Sequence, residues 1–149
     1  MSKRILFVDD EPFYAQGLVD ALQENGYMVD LAADGSQAVE KLVRNSYTPE
    51  LIVLDVIMPP GEYIKEVAGG RQTGVKVYEI IRKTLNLQIP VLFLSIIDEK
   101  YLRSEIALLD KSAEFENYEV LVKPVLLNEM FRKISSMLNN RYATKENQE

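Results

Sequence analysis

The stretch Leu51-Ile52-Val53-Leu54-Asp55-Val56-Ile57-Met58-Pro59 decides the fold of this chain. Four apolar residues lead into a single carboxylate, and a proline stops the run four residues later. A short apolar run bounded by turn residues is typical of a strand buried on both faces, as in a parallel sheet. Asp55 then stands at the carboxyl end of this strand, which is where ligands of open α/β sheets bind. The sequence therefore predicts a functional site around Asp55.

Four further strands and five helices are predicted around this run. Apolar runs predict strands over 5–8, 27–32, 90–95 and 119–122, and apolar residues at helical spacing predict helices over 13–25, 35–44, 75–85, 99–109 and 127–138. Alternating strands and helices are typical of an α/β domain with a doubly wound, five-stranded parallel sheet covered on both faces. We expect this domain to span 1–138, with a long loop at about 60–73 and a polar, frayed C-terminal tail over 139–149.

The composition narrows the chemistry that this chain can perform. The chain has 149 residues, of which 47% are hydrophobic, and this suits one domain with a substantial core. A net charge of −6 gives no basic excess for a phosphate backbone, so direct nucleic-acid binding is not expected. The lack of cysteine and histidine excludes thiolate and imidazole chemistry. No run approaches the ~20 apolar residues of a membrane span or forms a signal-peptide core, so we expect a cytoplasmic location without membrane contact.

Charged and hydroxyl side chains follow four of the five predicted strands. Because right-handed crossovers place the carboxyl ends of parallel strands at one rim, we expect these side chains to meet there. They are Asp9, Asp10, Asp55, Ser95 and Lys123. Three carboxylates form a hard oxygen site that suits Mg²⁺, and a cation relieves their mutual repulsion. An aspartate is also a nucleophile toward phosphorus, and lysine and serine side chains can contact phosphoryl oxygens.

The same residues, taken in order along the chain, carry a family resemblance. Asp9-Asp10 after the first strand, Asp55 before Met58-Pro59, Ser95 after the fourth strand and Lys123-Pro124 after the fifth resemble the receiver domain of bacterial two-component response regulators. Each motif alone is common, but the ordered set covers about residues 3–138. The resemblance implies a flavodoxin-like fold with strand order 2-1-3-4-5, and a regulatory domain that is not an enzyme.

The resemblance also implies a role for each residue of the rim. Asp55 is the expected phosphoacceptor, Lys123 the expected contact of the phosphoryl group, and Ser95 the expected switch hydroxyl. Mg²⁺ is the implied cofactor, and its implied ligands are Asp9, Asp10, Asp55 and the backbone carbonyl of Ile57. A cis peptide bond between Lys123 and Pro124 is implied as well, and a proline makes it accessible.

Four positions depart from the family pattern that this chain resembles. The loop after the third strand is longer than usual, so the glycine that opens the third helix is expected at Gly74. Ile96 replaces a small residue, and we hypothesise that it crowds the phosphoryl pocket and slows phosphodonors. Val120 stands where an aromatic residue often swings inward on activation, so that coupling is not carried over to this chain. Leu126 stands where a polar cap often begins the last helix.

The function that we infer is a phosphorylation-dependent signalling switch. The expected donor is a sensor histidine kinase or a phosphotransfer protein, since this chain has no histidine of its own. Phosphorylation of Asp55 is expected to bias a two-state equilibrium and to move the surface of the fourth helix, fifth strand and fifth helix. About eleven residues follow the last predicted helix. The output is therefore expected to pass through a downstream protein target, a homodimer formed on activation, or a segment outside this chain.

Two other classes of function compete with the switch. A Mg²⁺-dependent aspartyl phosphohydrolase that resembles haloacid dehalogenases needs a second aspartate two residues after the nucleophile, and Ile57 occupies that position. A phosphorylation-independent interaction module with a receiver-like fold is favoured by Ile96, by Val120 and by the long loop. Uptake of one phosphoryl group from a small donor distinguishes the switch from this module.

Overall fold

The computed structural model describes residues 2–44, 47–58, 61, 73–109 and 117–147 as alternating strands and helices. The strands are β1 (Arg4–Val8), β2 (Met28–Ala32), β3 (Leu51–Asp55), β4 (Val91–Ser95) and β5 (Tyr118–Val122). The helices are α1 (Pro12–Glu24), α2 (Gly35–Leu42), α3 (Thr73–Glu79), α4 (Glu99–Leu109) and α5 (Leu127–Asn147). All neighbouring strands pair in parallel in the order β2-β1-β3-β4-β5, which confirms the predicted doubly wound sheet.

Strand β3 forms the centre of the sheet because its side chains are apolar on both faces. All five of its residues are buried, and it pairs with β1 on one side and β4 on the other. Ile52 and Leu54 pack on the face that α2, α3 and α4 cover, whereas Leu51 and Val53 pack on the face of α1 and α5. Asp55 consequently lies at the carboxyl end of the central strand, between two packed layers of helices.

The ends of the first two helices follow local signals in the sequence. Pro12 begins α1, where its missing N–H is not needed, and Gly26 just beyond the helix has a φ of +95°. Asp34 precedes α2, and its Oδ1 accepts the backbone N–H of Gln37 at 2.8 Å. Gln37 Oε1 in turn accepts the N–H of Ala33 at 2.9 Å, which completes a capping box.

The third helix departs from the predicted helix over 75–85. Helix α3 already includes Thr73, and Ile80–Thr84 after it form a π-helical turn, in which the N–H of Leu85 donates to the carbonyl of Ile80 at 2.9 Å. Asn86 then takes a positive φ of 53°. Apolar spacing does not distinguish a short π-helical turn from an α-helix, so the sequence gives no warning of it.

Most of the predicted long loop at about 60–73 lies outside the described residues, as does Pro59. Gly61 is described, and it has a φ of +86° that favours glycine. A Cβ at this position would lie 2.7 Å from the side-chain oxygens of Asp34 and Ser36. Gly61 therefore lies directly against the beginning of α2.

Helix α5 extends beyond its predicted end at 138 and continues through Asn147, into the stretch 139–149 that the sequence predicts as a polar, frayed tail. This stretch contains no glycine or proline, and Ala143, Lys145 and Glu146 have high helix propensity. The loss of apolar periodicity after Leu138 therefore does not mark the end of the helix. Among the helices that the structure describes, none is both long and apolar enough to cross a membrane.

Candidate functional site

Three aspartates meet at the carboxyl ends of β1 and β3. Asp9 and Asp10 follow β1 directly, and Asp55 is the last residue of the neighbouring strand β3. One carboxylate oxygen of each aspartate lies within 4.8 Å of the others, which is close enough for a single metal ion. Asp9 and Asp55 are only 2% and 4% exposed, so water screens their mutual repulsion poorly.

Asp9 presents a carboxylate oxygen that lacks a hydrogen bond. Its Oδ1 accepts the N–H of Glu11 at 2.9 Å. Its Oδ2 is buried without a hydrogen-bond partner among the described residues, and Lys123 Nζ lies 3.7 Å from it. Burial raises the pKa of Asp9, although the N–H of Glu11 and the charge of Lys123 act to lower it. A buried carboxylate oxygen without a donor suits a cation.

Asp55 is held by its own loop and by Lys123. The N–H of Ile57 donates to Asp55 Oδ1 at 3.3 Å, and Lys123 Nζ lies 3.4 Å from Oδ2. Burial raises the pKa of Asp55 to about 7, and the charge of Asp9 adds to this rise, whereas Lys123 and the N–H of Ile57 oppose it. A cation beside these aspartates favours the ionised carboxylate, which is the nucleophilic form.

Lys123 follows β5 and directs its ammonium group at both buried aspartates. Burial acts to lower the pKa of Lys123, but the charges of Asp55 and Asp9 outweigh burial and raise the pKa overall. The backbone N–H of Lys123 donates to the carbonyl of Ser95 at 2.8 Å, which ties the ends of β4 and β5 together. The peptide bond between Lys123 and Pro124 is cis, as the family resemblance implies.

Tyr14 on α1 also contacts this site, although no motif in the sequence marks it. Its ring centroid lies 4.9 Å from Lys123 Nζ, and its hydroxyl accepts the N–H of Val125 at 3.2 Å. Its place in the first turn of α1, directly after the acidic residues, is the signal that the sequence offers.

Ser95 ends β4 beside the aspartates, and its hydroxyl is engaged by its own loop. The residue is fully buried. Its Oγ donates to the carbonyl of Ile97 at 2.9 Å and accepts the N–H of Ile97 at 2.8 Å. The hydroxyl has one proton, so it must release the carbonyl of Ile97 before it can donate to a group on Asp55.

Gly74 packs its backbone against the end of β3. Its N–H donates to the carbonyl of Val56 at 2.9 Å, and a Cβ at this position would lie 2.5 Å from the carbonyl oxygen of Asp55. Contacts this close are tolerated only by glycine. The described part of α3 thus places the predicted glycine directly beside Asp55. The carbonyl of Ile57, in the same loop, remains a predicted metal ligand.

The other departures from the family pattern differ in their consequences. Ile96 is 68% exposed, and this argues against the hypothesis that its side chain crowds the phosphoryl pocket. Val120 is buried in the core beside Phe93 on β4. Leu126 is 62% exposed just before α5, and its carbonyl accepts the N–H of Met130 at 3.0 Å, so an apolar residue occupies the cap position.

A comparison with protein families assigns the chain to one of them. Residues 5–135 match the model of the response regulator receiver domain, and this range includes every predicted residue of the rim. The chain therefore belongs to the receiver domain family of response regulators. It is a regulatory domain of the two-component type, and receiver domains interact with histidine kinases and downstream effectors.

Curated relatives agree with this assignment. The response regulator MprA of Mycobacterium ulcerans (strain Agy99) is 34% identical over 138 residues, which cover 93% of this chain and 51% of that protein. MprA of Mycobacterium leprae (strain TN) is 34% identical over 135 residues, which cover 91% of this chain and 50% of that protein. The chain therefore spans about half the length of these relatives.

Solved structures have the same fold. The response regulator TrrA of Thermotoga maritima, in complex with Mg²⁺ and BeF, has a TM-score of 0.65 and 29% identity, with 91% of this chain and 98% of that chain covered. A CheY-like receiver domain protein of Methanospirillum hungatei JF-1 has a TM-score of 0.75 at 19% identity, with 97% of this chain and 99% of that chain covered. The second likeness concerns the fold alone.

Proposed function

We propose that this protein is a phosphorylation-dependent signalling switch in which Asp55 accepts a phosphoryl group. An oxygen of the Asp55 carboxylate forms a bond to phosphorus while the bond between phosphorus and the donor nitrogen breaks. The donor nitrogen keeps the bonding electrons, and it takes up a proton where it would otherwise leave as an anion. The product is an acyl phosphate, and the lysine and serine of the rim are the proposed contacts of its new oxygens.

The observation that carries this proposal is the arrangement of charge around Asp55. Two nearly buried carboxylates lie beside a third, and one ammonium group lies 3.4 Å from the proposed nucleophile and 3.7 Å from Asp9. A single lysine does not neutralise three carboxylates, so the rim has a place for further positive charge. The same lysine is in reach of an anion that forms on Asp55.

Mg²⁺ is the proposed cofactor, since the donor set consists of hard oxygen atoms. Asp9, Asp10, Asp55 and the carbonyl of Ile57 are the proposed ligands, and the buried Oδ2 of Asp9, which has no hydrogen-bond partner among the described residues, fits this role. When bound, the ion neutralises charge on the phosphoryl oxygens. The complex of TrrA with Mg²⁺ and BeF supports this choice of cation by analogy.

The proposed partners follow from the chemistry of the rim. A sensor histidine kinase or a phosphotransfer protein is the proposed donor, and a downstream protein, or a second copy of the chain after activation, is the proposed target. We propose no direct contact with nucleic acid, because the chain carries a net charge of −6. The domain itself is proposed to do no more chemistry than phosphorylation from small donors and loss of its own phosphoryl group.

Incubation with Mg²⁺ and phosphoramidate, followed by intact mass measurement, tests this proposal. We expect the wild-type protein to gain one phosphoryl group and Asp55→Asn to gain none. Asp20→Asn is the matched control, because Asp20 is an exposed aspartate on α1 whose contact with Gln16 an asparagine can keep. Equal modification of Asp55→Asn and the wild type would contradict the assignment.

Titration with Mg²⁺ in a calorimeter tests the cofactor separately. We expect Asp9→Asn and Asp10→Asn to weaken Mg²⁺ binding, since each removes a carboxylate ligand, while Asp20→Asn binds as the wild type does. An affinity that none of these substitutions changes would contradict a metal site at the rim.

The buried Val120 favours a second candidate, a receiver-like interaction module that works without phosphorylation. Val120 is part of the core, and it offers no ring that can move between two positions. The two candidates differ in one outcome. A module of this kind binds its partner equally well before and after treatment with phosphoramidate, whereas the switch changes its affinity.

A further inference from the structure

We propose that Tyr14 is a positioning residue for Lys123, and that it determines how well this lysine meets an anion on Asp55. The inference rests on the proposed function and deepens it. Tyr14 makes one contact with the ammonium group of Lys123 and one with the backbone that follows β5.

The two contacts of Tyr14 bracket the turn after β5. The ring lies 4.9 Å from Lys123 Nζ, within the range of a cation–π interaction. The hydroxyl accepts the N–H of Val125 at 3.2 Å, two residues further along the chain. Pro124 between them has no N–H to donate. Tyr14 therefore links the start of α1 to both ends of this turn.

Lys123 needs such support because a lysine is a point charge on a flexible stem. In the structure its ammonium is drawn toward Asp55 and Asp9, at 3.4 and 3.7 Å. These carboxylates are also the proposed metal ligands, so their hold on the lysine weakens when a cation neutralises them. The contacts of Tyr14 involve no carboxylate, and they remain when the carboxylates are neutralised.

Packing alone does not account for the placement of Tyr14. Its ring packs against the core layer formed by α1 and α5, as the ring of Tyr27 does. Tyr14 differs from Tyr27 because both its ring face and its hydroxyl are used at the site. Tyr27→Leu is therefore a control for the loss of an aromatic ring from the same layer.

Three variants separate positioning from packing. Tyr14→Phe keeps the ring and loses the hydroxyl, Tyr14→Leu loses both, and Tyr27→Leu loses a ring elsewhere. With Mg²⁺ and phosphoramidate, we expect phosphorylation of Tyr14→Leu to be about tenfold slower than that of the wild type, and that of Tyr14→Phe about twofold to threefold slower. Tyr27→Leu is expected to lower the stability to urea and to leave the rate unchanged.

A second measurement needs neither metal nor phosphodonor, because it observes the side chain of Lys123 directly by NMR. In NMR spectra of the metal-free protein, the ring current of Tyr14 is expected to shift the Cε protons of Lys123 upfield. The shift should persist in Tyr14→Phe and Tyr27→Leu and disappear in Tyr14→Leu. Mg²⁺ affinity is expected to stay the same in all three variants, because none removes a ligand.

Two results would overturn this role of Tyr14. One is a Lys123 signal that Tyr14→Leu does not move, and the other is a rate loss in Tyr14→Leu no larger than that in Tyr27→Leu. If the wild-type protein takes up no phosphoryl group, the proposed function fails, but the Lys123 signal still decides whether Tyr14 holds the lysine.

Discussion

At Gly74, beside the site, the surrounding backbone leaves no room for a side chain. A Cβ would lie 2.5 Å from the carbonyl oxygen of Asp55 and 2.7 Å from Cα of Val56, and both are backbone atoms that cannot turn away. We expect Gly74→Ala to lower the free energy of unfolding by about 2–4 kcal/mol in urea titrations.

Gly17 provides the matched control for Gly74. It also lies in a helix, and a Cβ there would meet no atom within 4 Å. Gly17→Ala should raise the free energy of unfolding by about 0.5–1 kcal/mol, because alanine has the higher helix propensity. Equal effects of the two substitutions would contradict the close approach of Gly74 to β3.

Asp55 should make the stability of the metal-free protein depend on pH. Its pKa is about 7 in the folded protein, against an ordinary value of 3.8, mainly because the carboxyl is buried. Between these values the folded state binds a proton that the unfolded state lacks. The stability that this proton provides is therefore fully present below pH 3.8, is lost as the pH rises from 3.8 to about 7, and falls no further once both states are ionised.

Asp55→Asn tests this dependence, because an asparagine does not ionise. In urea titrations with a chelator, the substitution should stabilise the protein by about 1–2 kcal/mol more at pH 8 than at pH 5, an amount reduced by solvent at the rim. A stabilisation that is equal at both pH values would show that Asp55 is ionised throughout this range.

Among the helices, α5 begins without a polar cap, and a substitution at the cap position can supply one. The carbonyl of Leu126 accepts the first helical N–H, from Met130, so Leu126 occupies the cap position, and Glu129 follows it by three residues. Leu126→Ser would create a capping box with Glu129. We expect it to stabilise the protein by about 0.5–1 kcal/mol relative to Leu126→Ala. No gain over the alanine variant would show that the helix begins elsewhere.

The π-helical turn Ile80–Thr84 connects α3 to the loops before β4 and β5 through Arg82. The guanidinium group is buried, and it donates to the carbonyls of Leu87 and Asn117 at 2.8 and 2.9 Å. Burial lowers the pKa of Arg82, and its interaction with the Tyr78 hydroxyl, to which Arg82 Nε donates at 3.3 Å, opposes this.

Replacement of Arg82 tests this connection. Arg82→Met removes the hydrogen bonds to Leu87, Asn117 and the Tyr78 hydroxyl, although the N–H of Val91 still donates to the Asn117 carbonyl. We expect the substitution to lower the free energy of unfolding by about 2–4 kcal/mol. Arg44→Met removes an exposed arginine two residues beyond the end of α2 and should change the stability by less than about 1 kcal/mol. Phosphorylation of Asp55 should remain possible in both variants, because neither residue lies at the rim.

At the scale of the whole molecule, the pattern of apolar runs along the chain predicted the parallel sheet, and it predicted that charged side chains meet at the carboxyl edge of that sheet. Continuous apolar runs mark buried parallel strands, and parallel strands bring Asp9, Asp55 and Lys123 to one edge whatever the details of packing. The contact of Tyr14 with Val125 was not predictable, since the two residues are 111 positions apart and meet through packing. The burial of Arg82 was missed for a similar reason, because two of its three hydrogen-bond partners are backbone carbonyls, which leave no pattern in the sequence.

The identity of the modified carboxylate tests the central claim most directly, because three aspartates share the rim. After treatment with Mg²⁺ and phosphoramidate, borohydride reduces an acyl phosphate and converts the modified aspartate to homoserine, which peptide mass spectrometry locates. We predict homoserine at position 55 and aspartate at positions 9 and 10. Homoserine at position 9 or 10, or at none of the three, would contradict the assignment of Asp55 as the phosphoacceptor.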